Sequence, residues 1–196
     1  MEQLNTQLFL WFNASGQPGQ LQLWLTTFVA EWLIYGLPLL LALLWVTGKR
    51  PARQAAVTAT LSVLLALALG QLIGLLWPHP RPFMVGLGQT LLAHQPENSF
   101  PSDHATVFFT LGLSLLWSGW RKLAAWVLLI GTLVAWSRVY LGVHFPLDML
   151  GALLLAIPCV LVTPRLLQYG QLGEKLLDRL ERFYAACLIN GRVDRH

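Results

Sequence analysis

The sequence predicts an all-α integral membrane protein, and three observations carry that expectation. Apolar residues make up 56% of the 196-residue chain while 11% are charged, against roughly 25% charge in an average soluble chain. Five apolar runs approach the length of about 20 residues that a membrane-spanning helix needs. The basic residues cluster between alternate runs instead of spreading evenly. The same composition excludes a disordered chain, a collagen and a coiled coil. Two cysteines, Cys159 and Cys187, exclude a disulfide scaffold and a four-cysteine zinc site. The expected architecture is a five-span helical bundle with an N-terminal interfacial helix and a C-terminal amphipathic cytoplasmic helix, forming a single membrane-embedded domain over residues 1–196.

The chain opens with Glu2 and lacks the cationic start of a secretory signal. Leu4, Leu8, Trp11 and Phe12 fall at helical spacing and predict a short interfacial helix within residues 1–20. Asn13, Gly16, Pro18 and Gly19 then break it. The first span is expected from Leu23 to Val46 and the second from Ala55 to Trp77. The third, Asp103 to Trp120, and the fourth, Leu123 to Tyr140, are short. Only Arg121 and Lys122 separate them, which reads as a tight antiparallel hairpin. The fifth, Leu147 to Leu167, closes a bundle of residues 23–167. Pro38 and Pro158 lie inside the first and fifth spans and are expected to kink them. Within residues 168–196, Leu176, Leu177, Leu180, Phe183 and Tyr184 form one helical face, opposite Glu174, Lys175, Asp178, Arg179, Glu181 and Arg182. That pattern predicts an amphipathic helix lying on the membrane surface.

The basic residues set the orientation. Lys49, Arg50 and Arg53 follow the first span, Arg121 and Lys122 follow the third, and Arg165, Lys175, Arg179, Arg182, Arg192 and Arg195 lie at or beyond the end of the fifth. Positive charge marks the cytoplasmic side, so the N-terminus is expected outside and the C-terminus inside. The net charge of +4 then reflects topology, and no nucleic-acid partner is expected.

The polar residues of the outer face fall in two stretches, Trp77 to His104 and Arg138 to Asp148. Ionisable groups at the membrane are costly and usually functional. Arginines set among histidines suggest an anion, because the guanidinium fork suits phosphate. Pro80-Arg81-Pro82 fixes the backbone around Arg81. Pro101-Ser102-Asp103-His104 opens the third span, where Ser102 or Asp103 reads as a helix N-cap and the amides form an anion site. Ser137-Arg138-x5-His144-x3-Asp148 puts His144 and Asp148 on one helix face, where the carboxylate can orient the ring. Taken singly, the first motif is weak evidence, and the second and third are more often structural, as a helix N-cap and as a helical His–Asp pair.

Together these motifs resemble the signature of the type 2 phosphatidic acid phosphatase superfamily, K-x6-R-P, P-S-G-H and S-R-x5-H-x3-D. Asp103 stands for the usual Gly of the second element and Gly74 for the lysine of the first, while the third matches in full. The runs Pro78 to Phe83, Ser99 to His104 and Trp136 to His144 resemble most the small bacterial undecaprenyl diphosphate phosphatases linked to bacitracin resistance. The resemblance implies a nucleophilic His144 that forms a phosphohistidine, an orienting Asp148, and His104 as proton donor and then base. It also implies that Arg81, Arg138, Ser102 and the Asp103 amide hold phosphoryl oxygens, and places Pro82 and Ser137 of the same motifs in the substrate-binding set. No metal or other cofactor is implied. His79, two residues before Arg81, is expected to replace part of the missing lysine's charge. Glu31 in the first span reads either as a group near the substrate or as a structural partner for a neighbouring span. Glu97 and His94 read either as gating residues or as ordinary loop polarity.

The expected reaction converts undecaprenyl diphosphate to undecaprenyl phosphate and inorganic phosphate at the outer face of the bacterial inner membrane, recycling the cell-wall carrier. Phosphatidylglycerol phosphate, diacylglycerol diphosphate and lipid A phosphate are alternative substrates. A non-enzymatic transporter or a haem- or metal-binding subunit is the reading from another class. A transbilayer haem would want histidines at depth on facing spans, and the sequence places none there.

Overall fold

The computed structural model describes residues 2–193 and builds them from α-helices and short 3-10 turns, without a strand among the described residues. The helices are α1 (Glu2–Phe12), α2 (Gln20–Glu31), α3 (Gly36–Thr47), α4 (Arg50–Leu76), α5 (Asp103–Trp117), α6 (Arg121–Tyr140), α7 (Pro146–Gln168) and α8 (Leu172–Val193). Four stretches are long and apolar enough to cross a membrane: Gln20–Thr47, Arg50–Leu76, Arg121–Tyr140 and Pro146–Cys187. Their outward faces carry Leu39, Leu43, Leu64, Leu72, Trp126, Leu129, Leu133 and Leu154, all exposed. Apolar surface on this scale fits a lipid solvent and not water. The expected third span, α5, has 15 residues and falls short of that length.

α5 is nevertheless the centre of the bundle. Ala105, Phe108, Leu111 and Leu115 are buried against α4, α6 and α7. Gly131 of α6 faces Phe108 and Gly112 of α5 faces Leu128, so the two helices lie close together. The hairpin between them turns through Ser118, Gly119 and Trp120, whereas Arg121 and Lys122 already belong to the first turn of α6. The first expected span is two helices, because a 3-10 turn at Leu33–Tyr35 separates α2 from α3. Pro38 explains the break: its ring would clash with the carbonyl four residues back, at Ile34. α7 runs unbroken through Pro158 and Pro164.

The terminal helices pack against protein as well as presenting apolar surface. α1 buries Asn5 and Phe9, while Leu4, Trp11 and Phe12 of the expected interfacial face are exposed. The Phe9 ring meets that of Phe145 at 5.3 Å. α8 buries Leu177, and Leu176 and Leu180 line a groove with Leu41, Trp45 and Ala56. Arg50 pairs with Glu174 (2.6 Å), Asp178 (2.7 Å) and Glu181 (3.0 Å), and Arg53 pairs with Glu181 (3.2 Å) while lying over the rings of Trp45 and Tyr184. The polar face expected to be solvated is thus partly spent on α4. Of the basic residues assigned to the inner side, Arg195 and the side chain of Arg192 lie outside the described residues.

Between α6 and α7 the chain turns through Leu141 to Phe145, and this turn presents His144. Gly142 holds φ 83° there, and a Cβ would collide with the Gln89 carbonyl oxygen. Gly142→Ala should therefore destabilise the protein by at least ~1 kcal/mol from the left-handed backbone alone. The check is the thermal unfolding midpoint in detergent.

Candidate active site

The ends of α4, α5 and α6, the loop of residues 77–102 and the α6–α7 turn enclose a cleft of about 470 Å³. Its polar wall is made by Arg81, His94, Glu97, Asn98, Asp103, His104, Arg138 and His144, with Gln71 of α4. Local physics aims these side chains. α1 tethers the loop: Asn13 donates to the carbonyls of Gln89 (2.9 Å) and Tyr140 (3.0 Å) and accepts from the Gln89 amide (2.7 Å). The Leu91 amide donates to the Leu141 carbonyl at 2.9 Å, which ties the loop to the turn bearing His144. His104 lies in the first turn of α5, where helical amides lack intrahelical partners and favour an anion.

His144 is the best-defined group of the cleft. Its Nδ1 faces Asp148 Oδ2 at 3.2 Å. A carboxylate only accepts, so Nδ1 carries the proton and Nε2 keeps a lone pair. Arg81 Nη1 donates to that lone pair at 3.0 Å, and also to the Val143 carbonyl at 3.0 Å. Burial drives His144 from its ordinary 6.5 down to about 3, against the opposing pull of the Asp148 hydrogen bond. The imidazole is therefore neutral and nucleophilic at neutral pH. Asp148 is fully buried, and its Oδ2 also accepts from the Phe145 amide (2.8 Å) and from the Ser99 hydroxyl.

Arg138, 2% exposed, donates from Nη1 to the Ala30 carbonyl (3.2 Å) and from Nη2 to His94 Nε2 (2.9 Å). Glu31 makes no hydrogen bond to it among the described contacts, but its charge acts on Arg138. Four residues expected to bind substrate do not line the cleft. Ser137 bonds back to the Val134 carbonyl (2.8 Å), and Pro82 is buried at the start of a 3-10 turn. The Ser102 hydroxyl is buried without a partner among the described residues, and its amide donates to the Asp148 carbonyl at 3.4 Å. The His79 ring packs on Trp77 and Phe145, at 6.0 and 5.9 Å, away from the cleft wall. Neither Ser102 nor Asp103 caps α5 through its side chain: Asp103 instead accepts from Gln71 Nε2 at 3.2 Å.

Two residues matter more than their sequence signal suggested. Asn98 donates to the Gly74 carbonyl, and a Cβ at position 74 would meet its amide nitrogen at 2.8 Å. The place of the family lysine's side chain is thus taken by Asn98. Ser99 lies in the run Ser99 to His104 but carries no role in the three-part signature. Its hydroxyl holds Asp148 and comes within 3.4 Å of His144 Nδ1.

The PAP2 superfamily pattern matches residues 55–171, which include every residue lining the cleft. The chain belongs to the PAP2 superfamily. Within that superfamily it is 38% identical to YbjG of Escherichia coli K12 over 192 residues, 95% of this chain and 93% of that one. It is 30% identical to the undecaprenyl-diphosphatase BcrC of Bacillus subtilis 168 over 161 residues, 82% and 81% of the two chains. Its fold matches the crystal structure of Aquifex aeolicus LpxE with a TM-score of 0.66 and 27% identity, covering 83% of this chain and 95% of that one. For a PAP2 enzyme with this geometry, Ser99→Ala should lower phosphatase turnover on the order of tenfold by removing a buried donor to a charged acceptor. Ser99→Thr should retain most of it, and kcat measured on the purified variants decides the point.

Proposed function

We propose that this PAP2 protein is a lipid diphosphate phosphatase that hydrolyses undecaprenyl diphosphate to undecaprenyl phosphate and inorganic phosphate through a phosphohistidine. The observation that carries the chemistry is His144, with Nδ1 on Asp148 and Nε2 turned to Arg81 at the wall of a cleft that also holds His104 and Arg138. The entering terminal phosphate draws Arg81 onto its oxygens and so frees Nε2. Nε2 attacks phosphorus, the bond to the bridging oxygen breaks, and His104 gives that oxygen a proton. His104 then takes a proton from the water that cleaves the phosphorus–nitrogen bond, and His144 returns to its starting state. Asp148 holds the imidazolium that forms through its contact with Nδ1. Phosphoryl transfer of this kind depends on positioning and on neutralising the equatorial oxygens, and Arg81 and Arg138 supply that charge.

The choice of lipid rests on the relatives: BcrC is named an undecaprenyl-diphosphatase, and the name of YbjG assigns it the same activity provisionally. The proposed setting is the bacterial inner membrane, with the whole chain acting as one membrane-embedded phosphatase domain. α5 serves as a fifth span, shielded by its neighbours. α1 lies at the outer interface, the N-terminus is outside, the cleft faces the periplasm or exterior, and α8 lies on the cytoplasmic side. The distribution of basic residues supports that orientation, since Arg50, Arg53, Arg121, Lys122 and Arg165 all fall at the helix ends opposite the cleft.

Purified protein in detergent should release phosphate from undecaprenyl diphosphate in the presence of EDTA, and His144→Ala should abolish the release. A panel containing phosphatidylglycerol phosphate, diacylglycerol diphosphate and lipid A phosphate tests the lipid assignment. A higher kcat/KM on any of these would replace undecaprenyl diphosphate as substrate. For topology, a cysteine introduced at His94 should react with an impermeant thiol reagent added outside intact cells, and one at Arg50 should not.

A further inference from the structure

His94 is the one histidine of the cleft to which the proposed chemistry gives no part. Its Nε2 accepts from Arg138 Nη2 at 2.9 Å, its Nδ1 faces the Gln95 carbonyl at 3.2 Å, and its ring centroid lies 6.3 Å from that of His144. With these two partners it is neutral, and it occupies a donor of Arg138. The fixed charges of the wall cancel: Arg81 and Arg138 stand against Glu97 and Asp103. A phosphate monoester brings about −1.5 to −2 at neutral pH, and a diphosphate brings more. His144 must stay neutral to attack, and His104 brings in the proton that it gives to the leaving oxygen, which answers one of these charges. A diphosphate brings more than one, and His94 is the remaining histidine of the wall that can charge with it.

We propose that His94 takes up a proton from solvent at Nε2 as the diphosphate enters, releases Arg138 to the anion, and serves as a further cation, beside Arg81, Arg138 and the proton-bearing His104, that distinguishes diphosphate from monophosphate lipids. The proposal rests on the phosphatase reading and deepens it. The charged groups facing His94 are Arg81 and Glu97 of its own loop, Asp103 and His104 of α5, Arg138 of α6 and His144 of the following turn. Before substrate arrives, burial and then Arg81 hold His94 below its ordinary value. An anion beside it raises that value. Because the protonated form binds, KM for a diphosphate is lowest at acid pH and rises as pH climbs through the value of the bound state.

The test compares farnesyl diphosphate with farnesyl phosphate, both measured from pH 5.5 to 8.5 on the full-length protein. His94→Gln should raise KM for the diphosphate about tenfold, the worth of one charge-assisted contact, and change KM for the monophosphate less than about threefold. His94→Lys, which carries a fixed charge, should keep a low diphosphate KM and remove the part of its pH dependence that belongs to the protein. Substrate titration is common to wild type and variant, so the difference between their profiles isolates His94. A wild-type profile that coincides with that of His94→Lys overturns the proposal without requiring any variant to lose activity. Equal effects of His94→Gln on the two substrates overturn it as well. Failure of the wild type to hydrolyse either lipid would instead remove the phosphatase reading on which it rests.

Discussion

The proposed attack on phosphorus requires a histidine with one nitrogen unprotonated and aimed while the other is held, and a single oxygen, Oδ2 of Asp148, holds His144 in that way. Three donors converge on it: the His144 ring, the Phe145 amide and the Ser99 hydroxyl. Each comes from a different part of the architecture. The Phe145 amide fixes the start of α7, the His144 ring belongs to the α6–α7 turn, and Ser99 ends the long loop after α4. Those donors offset the cost of burying the charge at Oδ2, while Oδ1 is buried without a partner among the described residues. Folding of the outer end and preparation of the nucleophile are therefore the same event. α1 serves that event too, since Phe9 packs on Phe145 and Asn13 ties the loop to the end of α6.

Arg81 and Arg138 show how the site limits the cost of buried charge. Each guanidinium donates to a backbone carbonyl and to a neutral imidazole. On the proposed mechanism both imidazoles hold the place of phosphate oxygen, and the carbonyls would keep each arginine aimed once its histidine is exchanged for substrate. A rigid fork that swaps one acceptor for another needs little reorganisation when the anion arrives, which is the condition for strong electrostatic stabilisation of phosphoryl transfer.

Much of this was legible from residue order alone. The helix limits of α4, α6 and α7 follow the apolar runs, and the pairing of His144 with Asp148 follows from their four-residue spacing. The unread parts share a cause, which is contact between segments far apart in sequence. The buried face of α1 is set by Asn5, Phe9 and Asn13, two of which are polar and find backbone partners on the 89–147 side of the molecule. An apolar-periodicity reading selects Leu4, Leu8, Trp11 and Phe12 and so favours the other face. His79 sits two residues from Arg81 in the chain, but its ring packs on Trp77 and Phe145 while Arg81 turns to His144 and the Val143 carbonyl. His94, thirteen residues after Arg81, returns to the cleft because Leu91 pairs with Leu141.

The length of α5 bears on where the reaction takes place. Fifteen residues rise about 22 Å, whereas the hydrocarbon layer is about 30 Å thick. On the proposed five-span arrangement this helix cannot reach both surfaces. Its C-terminal turn leads directly into Arg121 and Lys122, which must stay in contact with water and headgroups. On that arrangement the shortfall belongs to the other end, and Asp103 and His104 at the start of α5 would lie about 8 Å beneath the level of the surrounding acyl boundary. A lipid phosphate would sink into a hydrated well in the membrane to meet His144, and its chain would never have to leave the oil.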